Sequence, residues 1–337
     1  MVMVPEPGGM TVRRREFLSV LGGAAAANTW PSAASSQSKI SRIGFLGSAT
    51  AAGAAQSTGA LREGLNALGY VEGKNINIEF RWAEGKYERL PELVTDLMRL
   101  NVDVLVTHGT PGTQAAKRAA AGIPIVMAIS GDAIATGIVT NLGRPESNVT
   151  GSTFFLPDLN IKRLELLLEV LPHVTHVGAL TNPANPVSRP IIPAMRAAAA
   201  SLKLAVEPFS VQGPSDFDSA FQAITKSRVN AVAVTEDGEF AASFKTIAAL
   251  AIQSKLPSIG SKEYVEAGGL IGYGVNILNL YRRAAYFVDK ILKGAKPADL
   301  PIEQPTRFEF VINLQTARTL GLNIAPILLA RADAVIE

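Results

Sequence analysis

From residue 40 onward the chain alternates two kinds of segment: short runs that are apolar nearly throughout, and longer runs in which apolar residues return every third or fourth position. The first kind suits strands of a sheet buried on both faces, the second suits helices that lay one apolar stripe on that sheet. Residues 40–47, 75–82, 102–108 and 123–129 read as strands, with helices at 55–68, 87–100 and 111–121 between them. Gly69 marks the end of the first helix, since glycine is favoured just past a helix C-terminus.

The alternation then begins again. Strands at 176–181, 204–209, 231–235 and 257–260 enclose helices at 187–202, 215–227 and 240–254. Corresponding strands lie roughly 130 residues apart, which fits two similar layered lobes and not a solenoid of short repeats. The expected fold is α/β, with two Rossmann-like lobes of parallel strands joined by a multi-strand hinge. Residues 148–155 form a natural crossing, a strand at 270–273 and a helix at 278–292 suggest a return to the first lobe, a proline-rich connector fills 294–305, and 307–313 is a last strand. One lobe is expected to comprise 38–151 with about 274–300, the other 152–273 with about 301–337.

The first 34 residues follow another plan. Arg13, Arg14 and Arg15 lead into Glu16-Phe17-Leu18, then an uncharged, mildly apolar run to Ala27, then small residues ending Ser32-Ala33-Ala34. Positive, apolar and small in that order describes an export signal, with cleavage expected near Ala34. The pair Arg14-Arg15 followed by Phe17-Leu18 is similar to a twin-arginine signal, and an ordinary secretory signal with an extra arginine is the alternative. Both would carry the chain across an inner membrane. With no later run of spanning length and no cysteine to lipidate, a soluble periplasmic protein is expected.

Composition narrows the chemistry. A chain of 337 residues, 47% hydrophobic and 18% charged, can bury more than one core and is not disordered over most of its length. Its net charge is +3 without a basic block, which argues against a nucleic-acid partner. Zero cysteines exclude disulfides, thiolate metal sites and a thiol nucleophile. His108, His173 and His176 lack metal-ligand spacing, so no metal or other cofactor is expected.

In open parallel sheets, ligands bind beyond the carboxyl ends of the strands, where helix N-termini and free backbone amides point. The residues that follow the strands here are Ser48, Thr110, Ser130 and Asp132 in the first pass, and Asn182, Asn185, Glu236, Asp237 and the run Ser261-Lys262-Glu263 in the second. They would supply donors and acceptors for a small polar solute. The same residue types also cap helices and form turns without any ligand, and that alternative stays open at each position. Asp132 and the pair Glu236-Asp237 could hold an amine. Phe154, Phe155 and Tyr273, near the crossings, could stack on an aromatic group or simply pack. No G-x-S-x-G elbow, phosphate loop or complete G-x-G-x-x-G fingerprint occurs, and no nucleophile with a base is evident, so the chain does not read as an enzyme.

Several ordered stretches carry a resemblance. They include Ile43-Gly44-Phe45-Leu46-Gly47, Leu61-Arg62-Glu63-Gly64-Leu65, Phe80-Arg81-Trp82-Ala83-Glu84-Gly85, Lys162-Arg163-Leu164-Glu165-Leu166-Leu167, Asn182-Pro183-Ala184-Asn185-Pro186 and Glu266-Ala267-Gly268-Gly269-Leu270. Together they resemble the ABC transporter substrate-binding protein family that includes the tryptophan/tyrosine-type binding proteins, a branch of the type I periplasmic-binding fold. Ala133 stands where family members commonly have proline, and Glu146-Ser147 where they have glycines. The resemblance implies a monomeric receptor that closes two lobes on a small solute, an amino acid or an aromatic or carboxylate compound. It would present that solute to an ABC permease and its ATPase at the inner membrane. An exported α/β enzyme acting on a small polar substrate, or a ligand-sensing regulator on the same fold, are the competing classes. A regulator should begin with a helix-turn-helix in place of the export signal.

Overall fold

The computed structural model describes residues 1–3 and 40–337, so the expected export signal lies outside the described residues. The first pass forms β1 (Ser41–Gly47), β2 (Ile76–Trp82), β3 (Val104–His108), β4 (Ile125–Ser130) and β5 (Val149–Thr153), with helices α1 (Ala55–Ala67), α2 (Leu90–Arg99) and α3 (Thr110–Ala119) between the first four. All pairings are parallel, in the order β2-β1-β3-β4-β5. The inner strands β3 and β4 are buried nearly end to end, which is why they carry unbroken apolar runs.

The second pass starts with α4 (Leu156–Val170) and β6 (His176–Thr181). It continues with α5 (Ser188–Ser201), β7 (Ala205–Ser210), α6 (Phe217–Lys226), β8 (Ala231–Val234), α7 (Gly238–Gln253), β9 (Ser258–Gly260), α8 (Lys262–Glu266) and β10 (Ile271–Val275). After α9 (Ile277–Leu292) come β11 (Phe308–Asn313), α10 (Leu314–Thr319), α11 (Pro326–Arg331) and β12 (Ala334–Ile336). The second sheet runs β12-β11-β10-β9-β8-β6-β7, with β11 antiparallel to β10. Its parallel part, read from the β7 edge, repeats the strand order of the first sheet. The chain therefore holds two copies of one doubly wound half, as the recurrence in the sequence led us to expect.

The halves are stitched by chain crossings after β5, after β10 and before β11. Helix α9 returns to the first half, packing on α1 and against β4 and β5. A side chain at Gly64 would start 2.8 Å from the Ala285 Cβ, so the two helices touch through small residues. The connector then runs beside β5. Glu303 forms a parallel bridge with Ser152, accepts from the Thr153 N–H at 2.9 Å and donates its own N–H to the Gly151 carbonyl at 2.9 Å. Arg283 of α9 holds the Glu303 carboxylate through two contacts, Nε at 2.7 Å and a terminal nitrogen at 2.5 Å. Gly151 has φ +121°, and a Cβ there would lie 2.2 Å from the Met127 carbonyl oxygen. Only glycine lets β5 lie this close to β4 at the crossing.

One helix begins later than its periodicity predicts. Residues 87–89 form a 3-10 turn, and the α-helix starts at Leu90, because Pro91 lacks an N–H and fits only in the first turn.

Candidate functional site

Each half has a topological switch point, between β1 and β3 and between β6 and β8, where neighbouring strands send their connections to opposite faces. The loops leaving these four strands carry Ser48, Gly109-Thr110, Asn182 to Asn185, and Thr235 to Asp237. They face each other across a cavity of about 180 Å³, lined by Ser48, Thr110, Ser130, Phe154, Asn185, Glu236 and Asp237 among others. An apolar cavity of about 150 Å³ accepts a benzene ring, so this space suits a solute with one aromatic or similar group.

The first-half wall is a hydroxyl network. Ser48 donates to the His108 carbonyl at 2.9 Å, Thr110 Oγ1 lies 3.1 Å from Ser130 Oγ, and the Gly131 N–H donates to Thr110 Oγ1 at 3.1 Å. Helix α3 opens at Gly109 without a side-chain cap, which leaves its positive end toward this wall. His108 lines the cavity half-buried, with its Nδ1 2.5 Å from the Tyr281 hydroxyl, and removal from bulk water pulls its pKa down to about 4. It is therefore neutral at pH 7. Trp82 adds an aromatic edge, packed on Phe45 and stacked on Phe80.

The second-half wall is built around two carboxylates that the fold already uses. Asp237 caps α7, accepting from the N–H groups of Glu239 at 2.9 Å and Phe240 at 3.4 Å. It also accepts from Asn182 at 3.3 Å, Asn185 at 2.9 Å and the Tyr87 hydroxyl at 2.8 Å. Burial still pushes its pKa upward against these hydrogen bonds. Glu236 faces Arg163 of α4 at 2.6 Å and accepts from Asn160 at 3.2 Å. The Arg163 side chain is 1% exposed. Its Nε donates to the Tyr273 carbonyl at 2.8 Å and a terminal nitrogen to the Val234 carbonyl at 3.3 Å, which ties α4 to the end of β8 and the middle of β10.

Tyr87 and Asp237 come from opposite halves, so their hydrogen bond spans the cleft. The Gly238 N–H donates to the same phenol at 3.1 Å, and a Cβ at Gly238 would lie 3.1 Å from the Ser48 Cβ. Glu239 reaches over Gly85, leaving no room there for any side chain. The two rims are in contact: this is a closed cleft.

Of the residues singled out by sequence, Asp132, Asn182 and Tyr273 are not in the cavity wall. The Asp132 carboxylate accepts from the N–H groups of Ile134 and Ala135 and so shapes its own turn. Asn182 stands behind Asp237, and Tyr273 stacks on Phe308 while offering only its carbonyl to Arg163. Phe155 is exposed, whereas the Phe154 beside it is buried. Tyr87, Arg163 and Trp82 escape a strand-end reading. Tyr87 lies in a 3-10 turn, Arg163 mid-helix and Trp82 inside a strand, so the rule of residues following strands passes over all of them.

Comparison with known proteins agrees with this geometry. Residues 50–336 match the family model of ABC transporter substrate binding proteins. A tyrosine-binding protein of Clostridioides difficile (strain R20291) is 25% identical over 75% of this chain and 73% of its own length. A crystal structure of an ABC domain in complex with L-Trp from Streptococcus pneumonia is 28% identical, covers 88% of this chain and 100% of its own, and superposes with a TM-score of 0.82. A type 1 periplasmic binding protein from Bordetella pertussis Tohama I, 16% identical over 70% of this chain and 68% of its own with a TM-score of 0.51, shares the fold alone. With a family model covering most of its length, and a fold and cleft to match, the chain belongs to the ABC transporter substrate-binding protein family.

Proposed function

We propose that this chain is the periplasmic receptor of an ABC uptake system, capturing an amino acid or an aromatic or carboxylate compound between its two lobes and releasing it unchanged to a permease. The contact that carries this reading is the pair of hydrogen bonds from Tyr87 to Asp237 and Gly238, because it joins the two switch-point rims over a cavity of solute size. Tryptophan and tyrosine are the first candidates, given what the relatives bind. In the bound state Ser48, Thr110 and Ser130, together with the uncapped end of α3, would receive a carboxylate, and Trp82 and Phe154 would flank a ring. Ligand favours closure only through contacts that are better in the closed form. An affinity near micromolar, about 8 kcal/mol, asks for only a few satisfied hydrogen bonds and one buried ring.

The export signal expected in the first 34 residues supports the periplasmic setting, and family membership supports delivery to a permease by a monomer. No described helix is long and apolar enough to cross a membrane. The reading gives the protein no reaction to perform. The purified mature chain, offered amino acids and aromatic acids, should melt at a higher temperature with at least one of them and return it intact. Conversion of any solute to product would overturn the assignment.

A further inference from the structure

Two of the acidic groups around the cavity are already committed, Asp237 to five donors and Glu236 to Arg163 and Asn160. Glu263 is not. It lies in α8, just after β9, and its Oε2 is buried in the cavity wall with no hydrogen-bond partner among the described residues. The Ser261 hydroxyl is its side-chain hydrogen-bonding neighbour, and burial pushes the carboxyl above the ordinary range. A buried carboxylate oxygen without a donor is costly, and a ligand group that donates to it would remove that cost.

The position of Glu263 says where that ligand group would sit. The residue lines both the inner cavity and an outer pocket of about 370 Å³, together with Ser57, Phe244 and Ile277. It therefore stands at the neck between the two. The cations closest to the neck are engaged: Lys262 lies 3.0 Å from Glu309 and 3.9 Å from Glu266, and Arg163 is held by Glu236, while the exposed Lys245 lines the outer pocket and not the inner cavity. Within the inner wall the other titratable nitrogen is that of His108, which is neutral. A solute carrying only negative charge, seated in the inner cavity, would meet Glu263 without an available cation on that wall. A solute with a protonated amine would bring the missing donor.

We propose that Glu263 selects the charge of the ligand, accepting the protonated amine of a solute whose apolar body fills the inner cavity, so that the protein prefers amines to otherwise identical acids that lack one. This rests on the reading of the cleft as a solute site. It narrows that reading from amino acids and aromatic acids alike to the amine-bearing members.

Calorimetric titration of matched pairs tests it: L-tryptophan against indole-3-propionate, L-tyrosine against 3-(4-hydroxyphenyl)propionate, with benzoate as an amine-free reference. The wild-type chain should bind the amine-bearing member of a pair at least tenfold more tightly. Glu263→Gln keeps the shape and removes the charge. It should weaken the amino acid tenfold or more, leave the amine-free acids within about threefold, and melt no lower than wild type, since it removes a buried charge with one oxygen unsatisfied. Equal affinity within the pairs, or an undiminished preference in Glu263→Gln, overturns the role of Glu263 and leaves the cleft a solute site. Failure of every compound to bind the wild-type chain overturns the solute site and this inference with it.

Discussion

Replacing Tyr87 by phenylalanine removes one oxygen atom and, with it, both hydrogen bonds that fasten the rims together. The phenol donates to Asp237 Oδ2 at 2.8 Å and accepts from the Gly238 N–H at 3.1 Å. A hydrogen bond to a carboxylate contributes about 1.5–3 kcal/mol and a neutral one about 1 kcal/mol. In an open form all three groups meet water, so the loss falls on the closed form alone. A loss of about 3 kcal/mol lowers the closed-to-open ratio roughly 100-fold, enough to divide evenly a protein that solute had brought to about 99% closed. Small-angle scattering of the two proteins, each with the same concentration of a solute that stabilises the wild type, should show a larger radius of gyration for Tyr87→Phe. Calorimetry should show weaker binding of whichever solute stabilises the wild type, because less of the variant is competent. Superimposable scattering curves with unchanged affinity would refute the reasoning, and Tyr87 would then be an ordinary packing residue.

Three further outcomes follow from buried groups. Arg163→Met removes a guanidinium that serves Glu236 and two carbonyls, and leaving that acid unpaired should cost about 3–5 kcal/mol in denaturant titrations. Gly151→Ala forces a Cβ against the Met127 carbonyl at φ +121° and should cost at least about 2 kcal/mol by the same measurement. His108 stays neutral down to about pH 4, whereas the unfolded chain takes up a proton below the ordinary value of 6.5. The stability His108 contributes is therefore complete above pH 6.5 and lost as pH falls toward 4, by about 2 kcal/mol at pH 5. Urea midpoints at pH 7.5 and pH 5 should show that drop in wild type and a smaller one in His108→Gln.

The layered fold is legible in the sequence because its strands are buried on both faces, so apolar runs and amphipathic helices stand apart along the chain. The recurrence of the pattern also announces two copies of one half. Helix α4 is harder to read, since Asn160, Lys162 and Arg163 break its apolar stripe and Arg163 looks like a surface residue until its partners on β8 and β10 are known. The three-residue strand β12 and the antiparallel placement of β11 depend on tertiary pairing that no local period records. Of the site, strand-end position picks out Ser48, Thr110, Ser130, Asn185 and the Glu236-Asp237 pair, all of which line the cavity. It cannot tell a ligand contact from a cap. Asp237 is a cap and an interlobe acceptor, Asp132 shapes a turn, and Glu263 differs from its neighbours through one carboxylate oxygen left without a donor, which three-dimensional packing alone reveals.

The central claim is that a solute holds two hinged halves closed, and a distance across the cleft tests it most directly. The chain contains no cysteine, so one pair of introduced thiols labels it without background. Asn66 on α1 and Ala249 on α7 are exposed and sit on opposite halves. Single-molecule energy transfer between dyes at Asn66→Cys and Ala249→Cys should show two exchanging distances without solute, and tryptophan, tyrosine or another bound solute should gather the population into the shorter one. A single distance that no solute alters would contradict the account.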